Sequence, residues 1–261
     1  MAGEIRRKDT ALDEAIPLEV AKEAICFPRP ETDFCNKLID ALTQHGITHY
    51  VNRGNLRIGK LMLLGKGWAS NVFLALMGER IVAVKALRPG SRRISLLHEA
   101  AMLITASIIN ISPQVYSYNN LFIAMEYIKG KHLDEALDSC NNTAKTTLIM
   151  RRLLWKAFLL DILGISHNEL ARPHRQVIVE NNTLEPYIID FESATVSRRP
   201  SNLTQLVGGI LRSKVLSRNI CVKDISEEIK TLLKQYKNET RLKRRASIAI
   251  NIIDTLTCMN K

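Results

Sequence analysis

HNELARPHRQVIVENNTLEPYIIDFESA, residues 167 to 194, sets one carboxylate ahead of two short apolar runs and another behind them. Val177 to Val179 and Tyr187 to Ile189 read as brief strands, being β-branched or aromatic runs bounded by polar and turn-forming residues. Glu169 and Asp190 therefore fall at the ends of elements, where side chains can reach a cleft. Chemistry that moves a phosphoryl group needs such a division of labour. One carboxylate orients or deprotonates the attacking hydroxyl, and a second holds a divalent cation across the phosphates. Taken singly, either residue is as well explained by a structural role, so the weight comes from what precedes them.

Upstream, Ile81-Val82-Ala83-Val84-Lys85 places one lysine in an otherwise apolar strand. A cation there is costly unless paired. Glu99, on the following helix, is the natural partner, and together the two suit the α- and β-phosphates of a nucleotide. The bland alternative is a lysine that snorkels to the sheet edge. Before that strand comes Gly65-Lys66-Gly67-Trp68-Ala69-Ser70-Asn71-Val72, a G-x-G-x-x-S-x-V turn between two strands. Glycine lets backbone amides approach phosphate oxygens without a Cβ in the way, although isolated glycine hairpins are common. Trp68 at its tip either caps a nucleotide or packs beneath the loop.

The texture changes along the chain. Residues 1 to 30 mix charges with Pro17, Pro28 and Pro30 and read as a loosely docked arm with one short helix over Ala11 to Ala24. Phe34, Leu38, Ile39 and Leu42 have helical spacing that Gly46 stops. From Leu56 to Leu87, apolar runs bounded by glycine read as strands joined in hairpins; Leu96 to Ile108 reads as a helix and Leu121 to Tyr127 as a further strand. Past Gly130 the pattern turns helical, with Leu148 to Leu163 as one amphipathic to fully buried helix. It stays helical beyond Leu203, where Asp224 and Glu227 form a capping pair. Strands first and helices last imply an α+β class, with an N-terminal extension over 1–55, a small β-rich lobe over 56–126 and a helical lobe over 127–261.

In this order the motifs resemble those of protein kinases, in particular the reduced, atypical archaeal serine/threonine kinases of the RIO-like group. There H-x-E-L-x-R-P, V-I-V and I-I-D-F-E-S-A replace the usual H-R-D and D-F-G signatures; here they stand at His167 to Pro173, Val177 to Val179 and Ile188 to Ala194. The resemblance covers about residues 56 to 210. It implies a reduced two-lobed kinase-like fold, ATP and Mg²⁺ as cofactors, and a protein hydroxyl, on a substrate or on the chain itself, as acceptor. It further implies Lys85 and Glu99 as phosphate-binding residues, with Val82 to Lys85 standing where kinases carry V-A-I-K. By the same resemblance Gly65, Gly67, Ser70 and Val72 would form the phosphate loop, backbone groups near Glu126 and Ile128 would meet the adenine edge, and Glu169 would be the base and Asp190 the metal ligand.

Departures from the kinase pattern qualify that transfer. Glu169 stands where most kinases have Asp. The metal-binding Asn is absent, with Gln176 as its substitute and His174 as second choice. Glu192 replaces the glycine of D-F-G, which removes φ freedom and locks the loop. Only twelve residues separate Asp190 from Leu203 and no A-P-E element follows, so an ordinary activation loop and peptide platform are lacking. Other functions open to the same residues are an ATPase switch on a ribonucleoprotein, as in the RIO group, and a non-catalytic nucleotide-binding scaffold. A small-molecule kinase of the aminoglycoside type fits less well, because the helical C-terminal region is short.

The net charge is +11, and between Arg198 and Arg245 stand 13 basic against 4 acidic residues, a surplus of nine that leaves two for the rest of the chain. RNA or a ribonucleoprotein is the partner such a segment implies, with a solvated helix face as the alternative. Cys26, Cys35, Cys140, Cys221 and Cys258 are odd in number and lack C-x-x-C spacing, and read as reduced thiols of a cytoplasmic protein. Met1 to Thr10 is too polar for a signal peptide. The longest apolar stretch, Leu153 to Ile165, carries Lys156 and Asp161 and is too short to cross a bilayer. His45, His49, His98 and His132 have no companions at metal-ligand spacing, and His167 reads as a brace for the loop that carries Glu169.

Overall fold

The structure is a computed structural model and describes residues 14–220 and 227–257. The chain divides into two units, Met1–Ala100 with Val115–Tyr127, and Ala101–Gln114 with Ile128–Lys261. The first contains β1 (Ala15–Pro17), α1 (Lys22–Ile25), α2 (Asp33–Gln44), β2 (Ile47–Val51), a hairpin of β3 (Leu56–Ile58) and β4 (Leu61–Leu63), β5 (Gly65–Lys66), β6 (Ser70–Met77) and β7 (Arg80–Leu87). Then come α3 (Leu97–Ser107), within which the division falls, β8 (Val115–Tyr118) and β9 (Phe122–Glu126). One sheet runs in the order β1-β2-β6-β7-β9-β8, with β5 added to β6.

β6 and β7 pair along their whole length, from Ser70↔Leu87 to Met77↔Arg80. Gly78 closes their two-residue turn at φ 60, a left-handed conformation that such hairpins require. Strand alternation then sorts the residues of β7 between two faces. Val82, Val84 and Ala86 join Phe73 and Phe122 in a core covered by Leu38 and other residues of α1 and α2. Ala83 packs on the opposite side with Val51, Leu74 and Leu76, so the register places Lys85 on that second face, away from α2.

Of residues 1 to 30, expected as a loosely docked arm, the described part from 14 onward is integrated into this unit. β1 and β2 extend the main sheet, and where a helix over Ala11 to Ala24 is expected the described residues form β1 and then the single turn of α1. The tether is Asn71, buried in β6, whose amide nitrogen lies 3.4, 3.1 and 3.0 Å from the carbonyl oxygens of Ala24, Ile25 and Phe27. Cys26 and Cys35 are also joined, their Cα atoms 5.7 Å apart, which corrects the expectation of five reduced thiols. The chain between them doubles back to bring the end of α1 beside the first turn of α2, where Thr32 Oγ1 accepts from Cys35 N–H at 3.3 Å as an N-cap. Cys140 is a free thiol, while Cys221 and Cys258 lie outside the described residues.

The second unit contains β10 (Gly130–His132), α4 (Leu133–Asp138), α5 (Thr143–Ile162), β11 (Ile165–Ser166), α6 (Pro173–Gln176), β12 (Val177–Glu180), β13 (Pro186–Ile188) and β14 (Thr195–Val196). α7 (Asn202–Arg212), a 3₁₀ turn (Leu216–Asn219), α8 (Glu227–Asn238) and α9 (Leu242–Leu256) complete it. α5 starts five residues before the apolar pattern does, because Asn142 caps it by accepting from Lys145 N–H at 3.1 Å. Its face of Leu153, Leu154, Ala157, Phe158 and Leu160 is buried. Two small sheets carry the loops of interest: β10-β12-β13, and the β11-β14 pair. The class is α+β, as the order of strands and helices implies. Asp224, expected to help cap α8, lies outside the described residues.

Candidate functional site

In the first unit, Lys85 Nζ lies 2.6 Å from Glu99 Oε1, with side-chain exposures of 8% and 0%. Glu99 stands in the first turn of α3, where the helix N-terminus favours negative charge. Its second oxygen takes Arg93 Nη1 at 2.9 Å, and Arg93 is itself held by its Nε, which donates to Ser95 O at 3.0 Å. One buried carboxylate thus bears two cations, so Glu99 keeps a partner if Lys85 turns to another anion.

The glycine turn belongs to the same unit. Gly65 and Lys66 pair with Val72 and Asn71, Gly67 N–H donates to Ser70 O at 2.8 Å, and Val72 stands opposite Lys85 in the ladder. A Cβ on Gly65 would meet nothing within 4 Å, so packing does not explain why glycine stands there, and the space it keeps open is available to a ligand. Arg88 steadies the turn: its Nη1 donates to Gly67 O at 2.7 Å and its backbone N–H to Ala69 O at 2.8 Å. Trp68 is 97% exposed and does not pack beneath the loop. Ser70 is buried. Glu126 ends β9 opposite Val82, and Ile128, also buried, opens the second unit.

In the second unit two loops are laced together. β11 pairs with β14, Asn168 Nδ2 donates to Ser193 O at 2.7 Å, and Ser193 Oγ donates to His167 O at 3.1 Å. His167 Nε2 donates to Ile189 O at 2.9 Å, and its ring meets Phe191 edge-on with centroids 4.8 Å apart. Burial pushes the His167 pKa below its ordinary value against the Ile189 carbonyl and the charges of Asp190 and Glu169. The ring is therefore neutral at pH 7 and braces the loop. Asn168 and Asp190 have φ of 69 and 62, left-handed conformations that Asn and Asp tolerate better than other side chains. The loop turns at Asp190, and Glu192 is not among the residues of positive φ. The conformation at 192 thus needs no glycine.

Gln176 connects α6 to this loop. Its Nε2 donates to Glu169 Oε2 at 2.9 Å, and its Oε1 is buried with no hydrogen-bond partner. Of the two side chains considered for the missing amide ligand, Gln176 is the one brought against Glu169, while His174 is half-buried on the same turn.

No protein-family model matches the chain, and no curated protein matches it.

The chemistry must therefore be judged on the residues. Among the described residues no group of three or more His, Cys, Asp and Glu side chains could hold a metal ion. Mg²⁺ does not ask for such a cage, being commonly held by one or two carboxylates with phosphate oxygens and water. The orphaned amide oxygen of Gln176, beside the Glu169 carboxylate, is a donor that such a pattern can use. Arg93, Arg88 and Asn71 were not singled out from the sequence. Arg93 and Arg88 sit at or beyond element ends, where no periodicity tells which way a side chain points. Asn71 offered a signal, a polar residue in an apolar strand.

Proposed function

We propose that the chain is an atypical ATP- and Mg²⁺-dependent serine/threonine protein kinase of the RIO-like kind, with a reduced two-lobed architecture. The observation that carries this is the buried Lys85–Glu99 pair at 2.6 Å, an arrangement that is costly in a core and is what positions phosphates in kinases. In this reading Lys85 binds the α- and β-phosphates and Glu99 orients it, with Arg93 keeping Glu99 paired. The turn from Gly65 to Val72 offers backbone amides to phosphate oxygens, and backbone groups near Glu126 and Ile128 meet the adenine. Mg²⁺, held by Asp190 and Gln176, would supply charge neutralisation across the phosphates. Glu169, oriented by Gln176, accepts the proton of the attacking Ser or Thr hydroxyl as the γ-phosphoryl group is transferred.

The partner side of the proposal is an acidic one, RNA or a ribonucleoprotein, met by the exposed Arg198, Arg199, Lys234, Lys237, Lys243 and Arg244. Arg245, at the end of that segment, is turned inward. Among the described residues no helix is long and apolar enough to cross a membrane, and we place the protein in the cytoplasm. The Cys26–Cys35 disulfide is of a kind uncommon in that compartment.

The test is incubation of the protein and of Asp190→Ala with γ-labelled ATP, Mg²⁺ and candidate protein acceptors, following label on protein and free phosphate together. Label on protein that disappears in the variant supports transfer. Free phosphate alone points to an ATPase switch, and neither signal, with ATP still raising the melting temperature, points to a scaffold.

A further inference from the structure

Asp161, in the last turn of α5, is a buried carboxylate for which the proposed reaction has no use. Its Oδ1 accepts from Asn202 N–H at 2.6 Å and from Asn202 Nδ2 at 2.7 Å. Its Oδ2 accepts from Leu203 N–H at 3.3 Å and from the Tyr236 hydroxyl at 2.6 Å. Arg245 Nη2 lies 3.7 Å from the same oxygen, its guanidinium stands 4.4 Å from the centre of the Tyr236 ring, and it also donates to Pro200 O. Burial raises the Asp161 pKa, while the Tyr236 hydroxyl, the α7 amides and Arg245 act the other way. Tyr236 is raised by burial and by Asp161.

Asn202 carries these contacts onward. Its Oδ1 accepts from His167 N–H at 2.8 Å and its Nδ2 donates to Ile165 O at 2.6 Å. Both partners are backbone groups of the stretch that leads to Glu169, two residues after His167. Asp161 meanwhile satisfies the first amides of α7, which Ser201 leaves uncapped. The C-terminal helices therefore reach the loop along a path of buried polar groups: α8 through Tyr236 and α9 through Arg245 meet Asp161, Asp161 holds Asn202, and Asn202 holds the loop. Buried hydrogen bonds of this kind accept one geometry and are expensive to leave half-made.

We infer that Tyr236 and Asn202 are positioning residues, which through Asp161 fix the backbone of the 165–170 loop and so the place of Glu169. Their importance to turnover rests on the kinase reading above; their hold on the loop does not.

The experiment is amide hydrogen exchange over residues 165–170 in the full chain, comparing wild type with Asn202→Ala and Tyr236→Phe, alongside ATP turnover. Ile253→Val, a small change in the buried face of α9, controls for general loosening. Exchange in the loop is expected to quicken by about tenfold or more in both variants and not in the control. kcat is expected to fall by about tenfold to a hundredfold, with KM for ATP within about twofold of wild type. Tyr236→Phe removes one oxygen and keeps the packing, so it serves even where Asn202→Ala fails to fold. Loop exchange unchanged in Tyr236→Phe overturns the inference, whatever the activity. Faster exchange in variants of a protein that shows no turnover upholds the inference and removes the kinase reading instead.

Discussion

Lys85 and Glu169 are the two charged groups on which the proposed chemistry rests, and they are held by different forces. Lys85 is held by charge: Glu99, fully buried, lies 2.6 Å away and carries Arg93 on its other oxygen. Glu169 sits on a loop held mainly by neutral hydrogen bonds, from Asn168, Ser193, His167 and Asn202, with Gln176 on the carboxylate itself. Attraction between charges falls off gradually with distance, so an ion pair tolerates adjustment, and a carboxylate with two cations lets one of them change partners. Hydrogen bonds weaken steeply outside a narrow range of length and angle. In the proposed reaction the first region would thus be suited to follow a phosphate, and the second to keep a proton acceptor in one place.

Glu169→Gln puts the largest strain on that contrast. The amide keeps an oxygen for Gln176 Nε2, so the loop retains its geometry while the proposed proton acceptor is lost. Phosphoryl transfer should fall by about 10²- to 10⁴-fold, with nucleotide affinity, read by titration calorimetry, unchanged. A rate that survives would mean that the second region is scaffolding and that its rigidity serves something other than proton transfer.

Lys85→Met probes the other side through stability. Breaking a buried ion pair commonly costs about 3–5 kcal/mol, because a charge is left without a partner. Here Glu99 retains Arg93, so denaturant unfolding should report a loss nearer that of one charge-assisted hydrogen bond, about 1.5–3 kcal/mol. The double variant with Arg93→Met should then lose more than the two single changes together, by about 1 kcal/mol. Strict additivity would show that Arg93 does not cover for Lys85, and the idea of an adjustable pair would go with it.

The same contrast explains what could be read from the residues alone. The hairpin of β6 and β7, the lysine strand, the α3 helix and the two short strands around Glu169 and Asp190 follow local periodicities of two and 3.6, and the α+β class follows from their order. The Lys85–Glu99 contact was legible because a buried cation demands a partner and the next helix supplies one. The contacts that fix the second region span longer distances in sequence: His167 to Asn202 is 35 residues and Asp161 to Tyr236 is 75. No local pattern carries such pairings. Asn71 illustrates the same limit, since it sits inside the glycine-turn motif while its side chain serves residues 44 to 47 positions earlier. Cysteine count and spacing likewise gave no hint of Cys26 and Cys35 joining, because the pairing depends on how the intervening loop doubles back.

The smallest effect comes from protons. His167 is buried, donates from Nε2 to Ile189 O at 2.9 Å, and has no partner at Nδ1, so a second proton would place a charge in the core of the loop. Burial pushes its pKa below the ordinary 6.5, and the pull of the Ile189 carbonyl, Asp190 and Glu169 does not reverse this. As the pH falls below about 6.5, the unfolded chain takes up a proton that the native chain resists. Stability that is fully present above that pH is therefore lost on acidification toward the native pKa, with a slope of at most about 1.4 kcal/mol per pH unit. Urea midpoints measured from about pH 7.5 to 5.5 should decline in wild type. They should flatten in His167→Gln, whose amide can still donate to Ile189 O but cannot ionise. Parallel curves for the two proteins would mean that the ring is not held neutral by the fold. The second region would then be less rigidly closed than its hydrogen bonds indicate, and closer in kind to the adjustable pair at Lys85.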